Sequence, residues 1–145
     1  MATKGVSYWH KKLWSTYSRY IRMRDYANQK DPEPYKAKCI SCSKYYPING
    51  VGCLQAGHFI TSKKMAIRYD EKNVHAQCYN CNINLKGNWD SYYESMQRIY
   101  GQEAIDDLMQ RRFDIVKYKA YELEDMNEHY KTKLRELTDF HGNPF

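Results

Sequence analysis

The segment Cys39-Ile40-Ser41-Cys42 and its counterpart Cys78-Tyr79-Asn80-Cys81, 35 residues further on, frame the middle of this sequence. Two thiolates in a C-x-x-C turn can point at one ion, and two such turns supply the four ligands of a closed tetrahedral zinc site. Four ordinary buried cysteines would rarely fall in two such pairs, and a redox role would need only one pair. An iron–sulfur cluster suits so polar and basic a chain less well. We therefore expect Cys39, Cys42, Cys78 and Cys81 to bind a structural zinc ion.

The number and spacing of the cysteines also indicate the cellular compartment. The chain has five cysteines, we see no signal peptide at its start, and no apolar run approaches the ~20 residues of a membrane span. A reducing compartment keeps thiols free, which favours metal ligation over disulfides. We expect an intracellular protein with no membrane association, in which the fifth cysteine, Cys53, is a small buried hydrophobe.

Charge is distributed unevenly along the chain. Residues 1–86 carry 15 Lys/Arg against five Asp/Glu, whereas residues 87–145 carry eight against twelve, and the whole chain has a net charge of +6. A basic N-terminal part and an acidic C-terminal part favour a polyanionic partner on one face of the protein. A pI near 9.0 is also common among proteins for which charge only maintains solubility. The charge distribution alone is compatible with two interpretations, a nucleic-acid partner and ordinary solubility.

At 145 residues the chain predicts a single domain of the α+β class, mostly helical. Apolar residues at helical spacing predict a basic N-terminal helix over 7–28 and C-terminal helices within 89–139. Between them lies a cassette over 39–88, with short strands near 54–60 and 73–77. The glycine within the first strand, Gly57, predicts a β-bulge. Asp31-Pro32-Glu33-Pro34 predicts a loop, and 141–145 predicts a frayed tail.

Two histidines lie between the two cysteine pairs. His58 lies within the first predicted strand, and Asn73-Val74-His75 precedes the second pair. A lone histidine is more often structural, but a neutral imidazole can deprotonate water near pH 7. This arrangement resembles that of HNH nucleases, in which a strand histidine is the general base, an asparagine orients it and a residue after the last cysteine binds a divalent ion. The resemblance implies a zinc-stapled ββα cassette of HNH-like (His-Me-like) type.

A second, closer resemblance rests on several segments. They are Lys11-Lys12-Leu13, Tyr20-Ile21-Arg22-Met23-Arg24-Asp25, Cys39-Ile40-Ser41-Cys42, Ala56-Gly57-His58-Phe59, the run from Arg68 to Cys78, Cys81-Asn82, Leu85-x-Gly87-Asn88 and Tyr130-Lys131-x-x-Leu134. Together they resemble the NinG/Rap family of lambdoid phage recombination proteins, over roughly residues 10–137. The resemblance implies a structure-directed endonuclease that cuts branched recombination intermediates such as Holliday junctions with Mg²⁺ or Mn²⁺, in the cytoplasm of a bacterial host.

Carried over residue by residue, the resemblance gives His58 the general-base role and Asn73 the middle position of the HNH pattern. Asn82 takes the final position, as a ligand of the catalytic cation. The sequence departs from the pattern at Gly57, where many HNH enzymes have a metal-binding aspartate. The nearest preceding polar side chain, Gln55, is a weaker ligand than a carboxylate.

Three further residues are candidates to complete the catalytic shell: Asp70, Glu71 and His75. His75 would act as a catalytic residue, and Asp70 as a ligand of the divalent ion. Each also has a structural interpretation, because the segment from Arg68 to Glu71 could be an ordinary turn and His75 an ordinary buried histidine.

Basic residues are dispersed through the first two-thirds of the chain, interleaved with Tyr and Trp. That mixture suits backbone contacts together with stacking at an unpaired junction centre. No element has the pattern of a major-groove recognition helix, so we expect preference for DNA structure over DNA sequence. The predicted DNA-binding residues are Arg19, Arg22, Lys36, Lys38, Lys63, Lys64, Arg68 and Lys86.

The expected partners are branched or junction DNA and a second copy of the chain, since junction cutting needs two nicks on opposed strands. The C-terminal helices are the expected dimer interface, and phage or host recombination proteins are further possible partners. Two alternatives remain open at this point. One is an HNH nicking or homing-type endonuclease acting on duplex DNA, and the other is a non-catalytic zinc module that only binds DNA or a recombinase.

Overall fold

The computed structural model describes residues 3–30 and 33–145. The described residues form four α-helices and four short strands, and about half of them are helical. In chain order the elements are α1 (Val6–Ala27), β1 (Lys36–Lys38), β2 (Tyr45–Pro47), β3 (Gln55–His58), β4 (Val74–Gln77), α2 (Trp89–Tyr100), α3 (Gln102–Arg111) and α4 (Ala120–His141). The α+β class is confirmed, with a smaller helical share than predicted. Asp31 and Pro32, half of the predicted proline loop, lie outside the described residues.

Helix α1 supplies an apolar face to the core. Leu13, Tyr17 and Ile21, spaced four residues apart, are fully buried. They share one core cluster with Leu123 and Tyr130 of α4, so the first and last helices pack against each other. The helical periodicity therefore predicted this element to within one residue at each end. That the chain is a single domain stays a prediction.

The end of α1 also holds strand β4 in place. Arg24 donates from Nη1 to the carbonyl of Glu71 (2.7 Å) and from Nη2 to the carbonyl of Val74 (2.8 Å). Its ion-pair partner Asp25, 2.9 Å away, accepts a hydrogen bond from the amide of Ala76 (2.7 Å). These contacts satisfy backbone groups at the outer edge of β4 that would otherwise be buried without partners.

Strands β3 and β4 form an antiparallel pair with the register Gln55↔Gln77, Ala56↔Ala76, Gly57↔His75 and His58↔Val74. Because side chains alternate between faces, His58 shares a face with Ala56, Val74 and Ala76, which is the face toward α1. Gly57 and His75 lie on the opposite face, toward α2. The pairing is regular through Gly57, so the predicted bulge is wrong.

A second antiparallel hairpin, β1–β2, surrounds the first cysteine pair, with Lys36 opposite Pro47 and Lys38 opposite Tyr45. We did not predict it from the sequence. Two shorter helical pieces complete this region: a 3-10 turn at Met65–Ile67 and a π-helical turn at Asn80–Asn84. The π-helical turn begins within the second cysteine pair and contains Cys81.

Helices α2 and α3 bury Tyr92, Met96, Ile105 and Leu108 against Phe59, which directly follows β3. The connection after His58 is thus anchored on both sides, by α1 and by the C-terminal helices. Within residues 3–30 and 33–145, no helix is long and apolar enough to cross a bilayer.

The C-terminal tail departs from its predicted frayed state. Helix α4 continues to His141, and the residues after it fold back onto the β2 region. Asn49 donates to the carbonyl of Pro144 (2.9 Å), and the guanidinium of Arg22 lies over the ring of Phe145, 5.3 Å from its centroid. The tail is therefore part of the packed structure.

Candidate functional site

The four paired cysteines converge as predicted. The Sγ atoms of Cys39, Cys42, Cys78 and Cys81 all lie within 4.8 Å of one another, and Cys42 Sγ is 3.9 Å from Cys78 Sγ. A zinc ion with Zn–S bonds of about 2.3 Å places its tetrahedral ligands roughly 3.8 Å apart. The donor set and its spacing therefore fit zinc, and the cluster could hold one ion.

Nitrogen donors surround the sulfur atoms. The amides of Cys42 and Cys81 donate to Cys39 Sγ (3.5 Å) and Cys78 Sγ (3.4 Å), and Asn88 Nδ2 donates to Cys81 Sγ (3.4 Å). Such donors stabilise thiolates, which is the form that binds metal. Cys53 lies outside this cluster. It is half-buried and its Sγ accepts from Arg22 Nη1 at 3.7 Å, so the prediction of a small buried hydrophobe is wrong, because the sulfur contacts a cationic side chain.

Next to the zinc cluster, an open cleft of about 690 Å³ runs along β3 between Trp14 of α1 and Trp89 at the start of α2. His58, Asn82, Arg68, Lys86 and Arg112 all line it. Among the described lining residues none is acidic. The cleft is therefore a cationic site with one histidine, and it suits an anionic ligand.

The ring of His58 is fixed from two directions. Its Nε2 lies 2.9 Å from the carbonyl of Arg68, and because a carbonyl only accepts, Nε2 carries the proton. The indole of Trp14 stacks on the imidazole with centroids 5.1 Å apart and planes 19° apart. Nδ1 therefore keeps its lone pair, as a proton acceptor requires.

The environment also keeps His58 neutral. Burial lowers its pKa below the usual 6.5, against an opposing contribution from the hydrogen bond to the Arg68 carbonyl, and the nearby Arg68 charge lowers it further. The imidazole is thus uncharged at pH 7, which is the state that can take a proton from water.

Asn82 reaches the same cleft from the π-helical turn. Its Nδ2 donates to Gln55 Oε1 at 2.8 Å, and that bond orients the amide so that Oδ1 is the atom left for a ligand. Gln55, considered above as a weak metal ligand, thus holds the candidate ligand Asn82 in place. An amide oxygen is a hard donor of the kind that Mg²⁺ accepts.

The geometry explains why Gly57 stands where a carboxylate was expected. A Cβ at this position would lie 2.8 Å from Gln77 Cβ and 2.9 Å from Gln77 Cδ. The Gln77 side chain crosses the strand there because its Nε2 donates to Ser41 Oγ (2.9 Å) and to the carbonyl of Gly87 (2.6 Å). Glycine is required by this close approach and not by a bulge.

Asn73 has a different place from the one that the HNH pattern suggested. Its side chain is fully buried: Oδ1 accepts from the amide of Ile60 (2.8 Å), and Nδ2 donates to the carbonyls of Ile60 (3.0 Å) and Ile67 (3.1 Å). It therefore braces the segment after β3 and does not contact the imidazole of His58. These contacts match a loop brace and do not match the orienting role that the resemblance implies.

His75 faces away from the cleft. Its Nδ1 lies 3.1 Å from the hydroxyl of Tyr92 and its Nε2 2.7 Å from the hydroxyl of Tyr100, and burial lowers its pKa to about 4. Strand alternation puts it on the opposite face of the hairpin from His58. Its position thus gives no support to the predicted catalytic role.

The two candidate carboxylates are also engaged elsewhere. Asp70 pairs with Arg111 through Oδ2 (2.7 Å) and accepts from the amide of Lys72 through Oδ1 (2.9 Å). Glu71 accepts from Tyr20 (2.6 Å) and pairs with Lys133 (2.9 Å). Neither lines the cleft, so the structure does not bring Asp70 or Glu71 to the predicted divalent site.

The predicted DNA-binding residues separate into groups. Arg68 and Lys86 line the cleft. Lys63 and Lys64 lie in the chain segment after β3, directly after residues that line the cleft. Arg22 is turned inward instead, since Nη1 donates to the carbonyl of Ile48 at 2.7 Å. Lys36 pairs with Glu33 (3.3 Å), Lys38 lies over Tyr45, and Arg19 is exposed on α1.

Sequence reasoning missed three cleft residues: Trp14, Trp89 and Arg112. Trp14 and Trp89 fall on apolar helical faces, which predicts core packing, and Arg112 sits in a predicted helix end, where a basic residue suits the helix dipole. A cluster of tryptophan and arginine around a histidine would have indicated this cleft. These residues are far apart in the sequence, and only the folded chain brings them together.

Comparison with known proteins bears on the identity of the chain. The model of the family "Bacteriophage Lambda NinG protein" matches residues 1–139. The chain is 30% identical over 138 residues to Protein ninG of Escherichia phage 933W, which covers 94% of this chain and 62% of that protein. It is 31% identical over 142 residues to Protein ninG of Escherichia phage lambda, covering 94% and 61%.

Protein ninG of Salmonella phage P22 is 30% identical over 144 residues, covering 96% of this chain and 62% of the relative. The chain thus spans about three-fifths of the length of these curated relatives. No solved structure matches it significantly. The family match extends over nearly the whole sequence and includes both cysteine pairs and His58. The chain belongs to the NinG family of bacteriophage proteins.

Proposed function

We propose that this protein is a divalent-metal-dependent endonuclease that cuts branched DNA recombination intermediates such as Holliday junctions, with His58 as general base. The observation that carries the proposal is the state of His58 in its cleft. The ring is neutral, Nε2–H is bonded to the Arg68 carbonyl, and Nδ1 is left as an acceptor beside cationic side chains. A phosphodiester and an attacking water are the reactants that such a site suits.

In the proposed reaction His58 Nδ1 takes a proton from water while the water oxygen attacks the phosphorus. A new P–O bond forms, one P–O ester bond breaks, and the leaving oxygen takes up a proton from solvent. His58 then returns its proton to solvent. The bond to Arg68 and the stacked Trp14 hold the imidazole in one orientation throughout, so little reorganisation is needed.

Cationic side chains would hold the phosphate. Arg68, Lys86 and Arg112 line the cleft. Guanidinium and ammonium groups bind phosphate oxygens through charge-assisted hydrogen bonds. Lys86 is presented by a turn in which Lys86, Gly87 and Asn88 all have positive φ (52°, 99° and 42°).

Asn82 would hold the catalytic cation through Oδ1. Mg²⁺ commonly keeps several waters and binds through few protein ligands together with substrate phosphates, so a single amide oxygen in an acid-free cleft fits it. The bound cation would supply charge stabilisation for the phosphoryl group and the leaving oxygen. Gln55 contributes by fixing the Asn82 amide through its 2.8 Å hydrogen bond.

The HNH-like ββα arrangement is part of the same proposal. Support comes from the order of the elements: hairpin strands β3 and β4, the second cysteine pair, a π-helical turn and then α2. The zinc cluster lies where it would fix the turn that carries Asn82 and Lys86, since Gly87 donates to the carbonyl of Cys81 at 2.8 Å. Zinc, when bound, would keep that turn rigid.

A second candidate function has its own support. The absence of an acidic residue among the described lining residues favours a zinc module that binds branched DNA without cutting it. The third possibility, an HNH nicking enzyme on duplex DNA, would show itself by equal activity on linear DNA. In each case we propose a homodimer, assembled through the C-terminal helices, working with phage or host recombination proteins in the host cytoplasm.

The test compares a synthetic four-way junction with a linear duplex of the same sequence, in Mg²⁺ or Mn²⁺ and with EDTA as control. We expect cation-dependent cleavage of the junction, slow cleavage of the duplex, and loss of cleavage with retained binding in His58→Ala. His129→Ala is the matched control, because His129 is exposed on α4. Junction binding without cleavage by the unmodified protein would support the non-catalytic alternative.

A further inference from the structure

The segment that follows α3 presents an aromatic ring to solvent at the rim of the cleft. Phe113 is 67% exposed, although burying such a side chain would normally be favourable. The preceding residue, Arg112, lines the cleft itself, so the ring directly adjoins the proposed active site. An exposed phenylalanine at this position is a surface that can take a partner.

Two cations flank this ring. The guanidinium of Arg112 lies 4.6 Å from the centroid of Phe113, and Lys64 Nζ lies 5.8 Å from it. Lys64 comes from the segment after β3 and Arg112 from the end of α3, so two separate parts of the fold bring positive charge to one ring. An apolar peptide would gain little from these charges, whereas a nucleotide offers both a π-face and a phosphate.

Phe140 shows that an exposed aromatic ring is not always flanked by two cationic side chains. It is 84% exposed on α4, and its aromatic neighbour is His141, 4.7 Å away between centroids. The flanking chain there carries Asp139, and no lysine or arginine is found over the Phe140 ring among the described residues. Phe140 therefore serves as a matched control for aromatic exposure alone.

We propose that Phe113 stacks on an unpaired nucleobase at the branch point of DNA, while Lys64 and Arg112 contact the adjoining phosphates. Stacking on an aromatic ring is worth about 1–3 kcal/mol per base and needs a base that is not enclosed in a continuous duplex. The ring thereby selects branched DNA next to His58. This inference rests on the proposed function, because it requires DNA in the cleft.

The test uses zinc-loaded protein in buffer without added Mg²⁺ or Mn²⁺ and without a chelator, so that binding is measured without cleavage and the zinc is retained. The probes are a three-way junction with one unpaired 2-aminopurine at its branch point and a linear duplex of matching sequence. The unmodified protein and Phe140→Ala should quench the 2-aminopurine fluorescence and bind the junction more tightly than the duplex. Phe113→Ala should lose the quenching and about tenfold in junction affinity, with duplex affinity unchanged, and Phe113→Trp should restore both.

Equal quenching and equal junction affinity in Phe113→Ala would overturn the inference and leave the ring to a protein partner. A parallel loss of junction and duplex affinity would also overturn it, because the ring would then not discriminate between structures. Thermal unfolding of each variant checks that the exposed ring does not support the fold. Quenching that depends on Phe113 in a protein that never cleaves DNA would sustain this inference while the nuclease proposal fails.

Discussion

At the scale of single residues, His58 and Asn82 are each set by one specific neighbour. The carbonyl of Arg68 selects the tautomer of His58, and Gln55 selects the orientation of the Asn82 amide. Gln55 lies outside the segments that carry the family resemblance, whereas Arg68 begins one of them. A site of this kind depends on supporting contacts as much as on the reacting groups.

Gly57 gives the sharpest prediction at this scale. We expect Gly57→Ala to lower the free energy of unfolding by about 1–3 kcal/mol, because the new Cβ would press on the Gln77 side chain. Chemical denaturation of Gly57→Ala, Gln77→Ala and the double variant measures it. The double variant should cost less than the two single changes added together. Strict additivity would show that Gln77 is not what excludes a side chain at position 57.

The same contact shows what the sequence could not reveal about this residue. A glycine in a short strand predicts a bulge, and the neighbour that actually requires it lies on the partner strand. Arg22 is a similar case, since its cationic side chain suggested a DNA contact and the carbonyl of Ile48 draws it inward. Contacts between residues distant in sequence decide such roles, and local patterns do not contain them.

At the scale of elements, the two cysteine pairs join segments that have little other structure. The first pair follows the three-residue strand β1, and the second overlaps the π-helical turn Asn80–Asn84, which contains both Cys81 and Asn82. Elements this short are not stable alone. We therefore expect the zinc ion to be what fixes them relative to each other.

Replacing a ligand tests this expectation. Cys39→Ser should reduce bound zinc from one ion per chain to nearly none and lower the midpoint of thermal unfolding by roughly 10 °C, which corresponds to a loss of about 3 kcal/mol in a domain of this size. Cys53→Ser is the control, since Cys53 lies outside the cluster, and it should keep both zinc and midpoint. Zinc content is measured by atomic emission, and full zinc occupancy in Cys39→Ser would refute the four-cysteine site.

The elements themselves were partly predictable, for physical reasons that differ between them. Helix α1 could be predicted from the sequence because Leu13, Tyr17 and Ile21 recur at helical spacing and are buried. The metal site could be predicted because the C-x-x-C spacing is fixed. Hairpin β1–β2 could not be predicted, because the only buried residue in β1 is Ala37 and a three-residue strand has almost no pattern. The cleft could not be predicted either, because Trp14, Trp89 and Arg112 belong to three helical regions that are distant in the sequence.

At the scale of the whole molecule, the buried His75 and the half-buried His58 make stability depend on pH. His75 has a folded pKa of about 4, below its usual 6.5, so the unfolded chain takes up a proton first as the pH falls. Stability should therefore be complete above pH 6.5 and decline toward pH 4, by about 3 kcal/mol from this group. The lowered pKa of His58 acts in the same direction.

Urea unfolding at several pH values measures this decline, with His75→Gln as the informative variant. The zinc thiolates also titrate in acid, but they do so in both proteins, and the difference between the two curves isolates His75. His75→Gln should be less stable than the unmodified protein at pH 7 and should lose less stability on acidification. Parallel curves would contradict a buried, neutral His75.

At the His58 cleft, Arg68, Lys86 and Arg112 lie together with Trp14 and Trp89, and among the described lining residues none is acidic. We expect a cleft of this charge to attract a polyanion. We expect charge and shape to account for binding, and we expect cleavage to depend on the proton-accepting state of the His58 imidazole.

The most direct measurement is therefore the rate of junction cleavage as a function of pH, in Mg²⁺ with zinc-loaded protein, for the unmodified chain and for His58→Ala. We predict a rate that stays level from about pH 8 to below pH 6.5 and falls as His58 becomes protonated, and a rate at least about 100-fold lower at every pH in the variant. Junction binding should be equal in the two proteins. A His58→Ala protein that cuts junctions at the unmodified rate would contradict the account.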